Sequence, residues 1–468
     1  MTDAALGRKV IAGAVLIGGA GAVARLFSLL SAPILTAVVS PDQYGVVALV
    51  STVVSLASTF ALFGIDMSYA RYWAGGAGEE GAAVERFCWR FALVGGVLFA
   101  LAGSLAWVLA LAARIQASPN LAAMAAIGVI TYVLSTMSQV RARFRGAYST
   151  IATALVVSAA VSTAASILLA LRWRADAWAL LLGGVLGMLS GAWITGIPNA
   201  GSFLAPSGLD RGQRWKIVEL GTAGVISAAM YWVISSSDRW FIGLFRDQQE
   251  LGIYSFASNV GMIGIVLNNA VIATWFPEAT LSFERDAARA AATLGREWAR
   301  LVTILIVVWL TVTASGGDVI RLLAHPRFHD GARYVPWMAA SVAAYGLASV
   351  ANTGLWVAKN MRPSAYWWLS GAVTSLVMNA ILVRLWGAMG AAVTSCASFA
   401  VIGGGVLWSA HRSFALQIPW RSLILLAAFA LAVGMPMTVP WHSVPLYSLC
   451  LKLPVGLLAA GIIWLRSQ

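Results

Sequence analysis

The sequence predicts an all-α, polytopic membrane protein of about 14 transmembrane helices. Three observations carry that reading. Hydrophobic residues make up 60% of the chain and charged residues only 10%, with a mean hydropathy of +0.81, whereas soluble domains carry about 25% charged residues. Apolar runs continue to the C-terminus, and the longest gaps, around 198–215, 278–297 and 316–333, are too short for a soluble domain. Lysine and arginine also fall unevenly on the two sides of the runs.

Residues 10–39 and 44–72 form the first two spans, joined by the polar turn Ser40-Pro41-Asp42-Gln43. Arg25 divides the first run into arms that are each too short for a bilayer, which takes about 20 residues at 1.5 Å rise. Joined, they make one long, tilted helix with an arginine near mid-membrane. Such a charge is costly and normally faces a bundle interior or a water-filled path, so the chain is expected to enclose a polar cavity. Asp66 lies in the second run. It is read as a partner for Arg25, a coupling group or a local cap. Arg71 follows near the interface.

Spans 87–113, 120–140, 148–171 and 177–197 come next. Gly187-Met188-Leu189-Ser190-Gly191 suits close helix packing. Pro33 inside the first span, Pro277 at the end of the eighth, and Gly95-Gly96, Gly183-Gly184 and Gly403-Gly404-Gly405 inside others are read as helix breakers that suit a moving protein. The seventh span, 216–237, ends at Ser235-Ser236-Ser237-Asp238-Arg239, read as a hydrated helix end with a gate or inter-lobe pair. The eighth, 251–277, holds Asn259, Asn268 and Asn269; the first two are expected on one broad face, lining a cavity or bonding helix to helix. Spans 298–315, 334–358, 364–383, 388–410, 420–439 and 444–465 complete the chain. Lys452, in the last, is read as snorkelling to the outer face or marking a lateral lipid site.

Of 31 lysines and arginines, 20 fall on the side of the N-terminus and 9 on the other, with Arg25 and Lys452 inside spans. Both termini are therefore expected in the cytoplasm. The same asymmetry accounts for most of the net charge of +13, so nucleic acid is not expected as a partner. Arg8-Lys9 precede a run longer than a signal-peptide core, which points to an uncleaved first span. Cys88, Cys396 and Cys450 are scattered and suggest neither a disulfide framework nor a metal site. His325 and His329 are spaced four apart, but Pro326 between them argues against a helical metal site. Among the 21 tryptophans, Trp232, Trp275 and Trp356 are deep enough to stack on sugars; Trp240 and Trp367-Trp368 are read as interfacial belts.

A weak internal repeat aligns 41–53 with 248–260, bringing Gly45 to Gly252, Ser51 to Ser258 and Val53 to Val260. The basic turn 141–145 is echoed at 359–363. Six spans per lobe give an N-lobe over 1–200, a C-lobe over 210–412 and two additional C-terminal spans over 420–468, as parallel repeats about the membrane normal.

Ser40-Pro41-Asp42-Gln43-Tyr44-Gly45, Phe63-Gly64-Ile65-Asp66 and Ala70-Arg71-Tyr72 resemble the N-terminal signature of bacterial polysaccharide-biosynthesis flippases, in the multidrug/oligosaccharidyl-lipid/polysaccharide exporter superfamily. Ser237-Asp238-Arg239-Trp240-Phe241-Ile242-Gly243, Leu251-Gly252-Ile253-Tyr254-Ser255 and Trp275-Phe276-Pro277 continue the likeness. So do Met378-Asn379-Ala380 and Trp386-Gly387-Ala388-Met389-Gly390. The resemblance implies two six-helix lobes around a central cavity, alternating between inward- and outward-open states. It implies a substrate too: an undecaprenyl-diphosphate-linked oligosaccharide, moved to the outer leaflet for O-antigen, exopolysaccharide or capsule synthesis. It implies a bacterial inner (plasma) membrane and no cofactor. A polysaccharide polymerase, a chain-length regulator and a coupling H+ or Na+ are the partners it suggests.

Arginine suits a diphosphate because its planar fork donates in pairs and stays charged. Arg25 is accordingly the leading ligand, with Asp66, Arg71, Asp238, Arg239, Asn259 and Asn268 as further substrate-binding candidates. A multidrug or cation antiporter of the same superfamily is the alternative, expected to carry more acids than bases in its cavity. A membrane glycosyltransferase, polymerase or ligase would need converging acid, base or metal ligands, which the sequence does not present.

Cysteine tags test the topology. Tags near 42 and 327 should react with impermeant reagents in intact cells, and tags in 141–145 and 285–296 should be shielded; the reverse pattern inverts the orientation.

Overall fold

The apolar runs fold as helices because a chain in hydrocarbon must satisfy its own backbone N–H and C=O groups. The structure, a computed structural model, describes residues 3–73, 79–112, 119–198, 206–266, 268, 287–357, 360–413 and 419–467. Two compact units emerge, Met1–Trp232 and Val233–Gln468.

The first unit contains α1 (Asp3–Val38), α2 (Pro41–Leu62), α3 (Ile65–Trp73), α4 (Glu79–Ala112), α5 (Pro119–Phe144), α6 (Tyr148–Arg172), α7 (Ala177–Thr195) and the start of α8 (Arg211–Phe245). The rest of α8 opens the second unit. It continues through α9 (Gln248–Gly261), α10 (Ala287–Leu323), α11 (Val335–Val357), α12 (Arg362–Met378), α13 (Ala388–Ser413), α14 (Trp420–Met437) and α15 (Pro445–Ser467). Among the described residues, 12 helices are long and apolar enough to cross a membrane. The two expected spans outside that set are the seventh, which falls within the single helix α8, and the eighth, whose residues 269–277 lie outside the described residues. The expected fourteen is therefore close.

In the first unit, α1 packs along α6, and α6 and α7 form the tightest hairpin. Little hydrophobic force drives helices together in lipid, so association rests on close packing of small residues. A Cβ on Gly183 would fall 2.1 Å from Ser166 Oγ, and one on Gly187 2.6 Å from the Ser158 carbonyl oxygen. These glycines, with Gly191 against Ser158, seat one helix on the other, as the spacing predicts for 187–191. Gly183 is thus a packing position and not a breaker. Gly95 is another, since its Cβ would stand 2.3 Å from the Ala61 carbonyl oxygen.

The second span is not one helix. Phe63 (φ 47°) and Gly64 (φ 66°) are left-handed, which ends α2 and starts α3 on a new line. The cause is a backbone crossing. A Cβ on Gly64 would sit 2.2 Å from the Gly221 carbonyl oxygen, and one on Gly221 2.5 Å from that of Phe63. Behind the break, Ile65 and Tyr69 of α3 are buried with Cys88, Trp89, Met137 and Ile217. Pro33, by contrast, does not interrupt the first span: α1 runs through it. Pro277 lies outside the described residues.

In the second unit α13 packs on α11 and α12, while α10 receives α11, α14 and α15. Trp309, Leu310, Leu426, Ala430, Ala459 and Ile463 bury together and dock the last two helices on α10. Gly405 is a seat, not a breaker. Its Cβ would lie 2.0 Å from the Trp367 ring, and that indole donates to Ser409 Oγ at 2.9 Å. Trp367 is therefore packed between helices and is not a belt residue. The two ends of the aligned repeat share a local form: Ser40 precedes α2 and Asp247 caps α9, and Gly45 and Gly252 are both buried.

Gly221→Ala and Gly64→Ala should each lower the apparent melting temperature in detergent, because overpacking costs typically about 1–3 kcal/mol and Gly64 adds left-handed strain. Gly184→Ala, with nothing within 4 Å of its Cβ, should leave it unchanged.

Candidate functional site

Arg25 stands in the middle of α1, partly buried. The helix is open around it: Gly18, Gly19 and Gly21 have no neighbour within 4 Å of a built Cβ, and Leu26 and Leu30 are exposed. Among the described residues no acid lies within ion-pair distance of Arg25, so the pairing with Asp66, one of the alternatives the sequence left open, is not formed.

Asp66 occupies the first turn of α3, where its carboxylate accepts from the backbone N–H groups of Asp66 and Met67. It is the local cap that the sequence allowed. The Arg143 guanidinium and the Tyr132 hydroxyl are its electrostatic neighbours. Arg71 is exposed in the last turn of the same helix. The basic turn after α5 divides its work. Arg141 Nε donates to Glu85 at 2.7 Å and its Nη1 to the Gly196 carbonyl at 3.1 Å, tying α5 to α4 and to the end of α7. Arg145 reaches the other Glu85 oxygen at 3.7 Å. That leaves Arg143 exposed.

Asp238 is buried on α8. One carboxylate oxygen accepts from the Tyr254 hydroxyl of α9. The other accepts from the Arg239 backbone N–H at 2.8 Å and lies 3.4 Å from Arg239 Nη1. That guanidinium also donates to the Ser235 carbonyl at 2.9 Å. Ser237 is buried opposite Ser375, their hydroxyl oxygens 3.5 Å apart, and Asn379 Nδ2 donates to Ser375 at 3.3 Å. Asp238 therefore fastens α8 to α9 within the second unit, with Arg239 folded back on its own helix, and Ser237 is enclosed where a hydrated helix end was expected.

Asn259 is exposed on α9. Asn268 is fully buried, and neither atom of its amide has a hydrogen-bond partner among the described residues. The helix tightens to a 3-10 turn at Met262–Gly264, so the two asparagines do not share an environment as their spacing suggested. Asn269 and Trp275 lie outside the described residues, as does the side chain of Trp356. Trp232 donates to the Thr52 carbonyl at 3.2 Å. His325 accepts from Arg327, and His329 bonds to the Ala324 carbonyl.

Lys452 neither snorkels nor faces lipid. It is 2% exposed, and its Nζ is 2.6 Å from Asp318 on α10, whose side chain is fully buried. Ser448 donates to the same carboxylate oxygen at 3.1 Å, and Arg321 stands 3.6 Å from the other. Sequence reasoning missed Asp318 because it placed 316–333 in a loop, whereas α10 extends to Leu323. The available signal was spacing: Ser448 and Lys452 are four apart and share a helical face.

A profile of the family described as polysaccharide biosynthesis protein matches residues 10–280. The chain belongs to this family. No curated protein matches it in sequence. Solved structures of similar fold include a lipid II flippase, MurJ, in its inward closed conformation, with a TM-score of 0.76 and 11% identity over 96% of this chain and 98% of that one. A multidrug resistance MATE family transporter of the MOP superfamily, inward-facing, gives 0.65 at 14% identity over 84% of this chain and 95% of that one. An outward-facing MATE transporter gives 0.54 at 15% over 87% and 97%. These likenesses show that this polysaccharide biosynthesis protein shares its fold with those structures.

The Lys452–Asp318 pair carries a sharp expectation. Lys452→Met alone removes the 2.6 Å partner of a fully buried carboxylate and leaves it only the longer Arg321 contact; it should destabilise the protein by up to about 3–5 kcal/mol, whereas the double change Lys452→Met with Asp318→Asn should recover most of it. Thermal melting in detergent distinguishes the two; equal losses would show that the pair is not coupled.

Proposed function

We propose that this protein is a flippase that moves an undecaprenyl-diphosphate-linked oligosaccharide from the cytoplasmic to the outer leaflet by alternating access of its two lobes, supplying O-antigen, exopolysaccharide or capsule synthesis. The observation that carries the reading is Arg25: a part-buried arginine in the middle of a membrane span, with no acid at ion-pair distance among the described residues. An intramembrane cation with no acid at ion-pair distance among the described residues suits an anionic ligand, and a guanidinium suits a diphosphate. Membership of a polysaccharide biosynthesis family and the fold shared with a lipid II flippase support the same reading.

Arg25 is the proposed diphosphate ligand. Asp66 and Arg71 on α3 and the exposed Asn259 on α9 are proposed polar contacts for the glycan. Asp238, Arg239, Asn268 and Lys452 are engaged or enclosed within their own unit, and their proposed role is to shape the lobe. The antiporter reading shares the fold, and drug efflux measured beside glycan display separates the two.

Arg25→Ala should abolish surface glycan while the protein remains in the membrane at its normal level. Arg25→Lys should restore only part, because a point charge does not reproduce a bidentate fork. Full glycan display by the alanine variant rejects the assignment.

A further inference from the structure

Helix α5 has two accessible faces of opposite chemistry. Ala123 and Ile127, one turn apart, are exposed and apolar, as a surface against lipid must be. On the other side Tyr132, Thr136, Gln139 and Arg143 recur at helical spacing and share one line, flanked by Ser135. Tyr132 and Arg143 are exposed, and Ser135, Thr136 and Gln139 are half-buried. Between the two faces the helix is packed on both flanks. Val133 and Met137 are buried in the core beside Trp89, and Ser138 accepts from Thr195 of α7 at 2.8 Å. Toward the start of α5 the polar line is closed by α2: a Cβ on Gly128 would fall 2.9 Å from Val54 Cγ2, and Ala125 is buried.

Polar groups along a membrane span are expensive against hydrocarbon and normally face a bundle interior or a water-filled path. This line is accessible and set apart from the lipid-facing surface, so it walls an aqueous groove in the first unit. From Tyr132 to Arg143 it runs for about 16 Å along the axis. Asp66 of α3 stands across it, an electrostatic neighbour of both ends. Gln139 Nε2 donates to Ser135 Oγ at 3.1 Å, and the Gln139 amide oxygen has no partner among the described residues.

The chemistry of the line selects its ligand. Hydroxyls and an amide both donate and accept, over a length greater than one sugar ring. The cation at its end, Arg143, is answered by Asp66, so neither a diphosphate nor a cationic drug meets an unopposed charge here. A neutral polyhydroxyl chain meets a donor or an acceptor at each turn. We propose, resting on the flippase reading above, that this line is the bed for the glycan of the lipid-linked substrate. Neutral sugar rings lie along α5, their hydroxyls exchanging hydrogen bonds with Tyr132, Ser135, Thr136 and Gln139, and with Asp66 opposite. Arg25 holds the diphosphate, and α5 recognises the sugars.

Two probes titrated onto the purified full chain and read by native mass spectrometry test this: undecaprenyl diphosphate, bare and carrying a neutral trisaccharide. The wild type should hold the glycan-bearing lipid about thirtyfold tighter, the factor that two net hydrogen bonds supply. Gln139→Leu and Tyr132→Phe should each lower that ratio about fivefold, the factor of one. Ile127→Ala, on the lipid-facing side, should keep the wild-type ratio. Arg25→Ala should weaken both probes by the same factor, and size-exclusion profiles check that each variant is folded. Equal affinity of the wild type for the two probes, or a ratio unmoved in both Gln139→Leu and Tyr132→Phe, overturns the glycan bed and leaves the flippase reading standing. A wild type that binds neither probe overturns that reading, and the glycan bed with it.

Discussion

An ammonium inside a membrane protein needs a carboxylate, and Lys452 finds Asp318. Desolvating both ions is expensive, and their attraction offsets that cost only with close geometry and extra hydrogen bonds. Here the contact is 2.6 Å and Ser448 donates to the same oxygen. The pair fixes the rotation of α15 about its axis and its height along α10, with the apolar contacts of Trp309, Ala459 and Ile463 beside it. The same requirement recurs elsewhere. Asp238 takes Tyr254 and the Arg239 N–H, and Glu85 takes Arg141 and Arg145. Each of these acids takes its partners within its own unit and joins two helices, α10 to α15, α8 to α9 and α4 to α5.

Close backbone approach is the second constraint. Among apolar helices in lipid, contact is gained by removing side chains and not by adding apolar ones. Gly183, Gly187 and Gly191 line α7 against the serines of α6, and Gly64 and Gly221 bring two backbones to atomic contact at the α2–α3 break. Glycine counts read as flexibility in a sequence are, at these positions, the opposite. The missing side chains let neighbours lock.

The helices were legible because hydrophobic length is a direct physical signal of spanning, and nearly every run reappears as a helix. The α2–α3 break was not. It depends on Gly221, more than 150 positions away in the chain, and periodicity carries no long-range contact. Pro33 misled in the opposite direction, since neighbouring groups in a membrane helix tolerate proline. Of the candidate site, Arg25 was visible as a charge with no reason to be where it is. Asp66 was visible as an acid, but its helix-capping role needs the break at Phe63 and Gly64 to exist. Lys452 was misread because its partner Asp318 sat in a stretch taken for a loop.

These placements sharpen what is unusual about Arg25. The chain spends carboxylates on Lys452, Arg141 and Arg239, yet leaves Arg25 on an open face of α1 without one among the described residues. An ion pair there would stabilise the resting protein but would compete with any anion that had to bind. A diphosphate must exchange water for protein donors when it binds and recover water when it leaves. A part-buried guanidinium with no carboxylate beside it among the described residues meets both demands: partial burial strengthens the attraction, and its donors stay available to a ligand. The stability given up at Arg25 is thus physically consistent with the transport proposed for it.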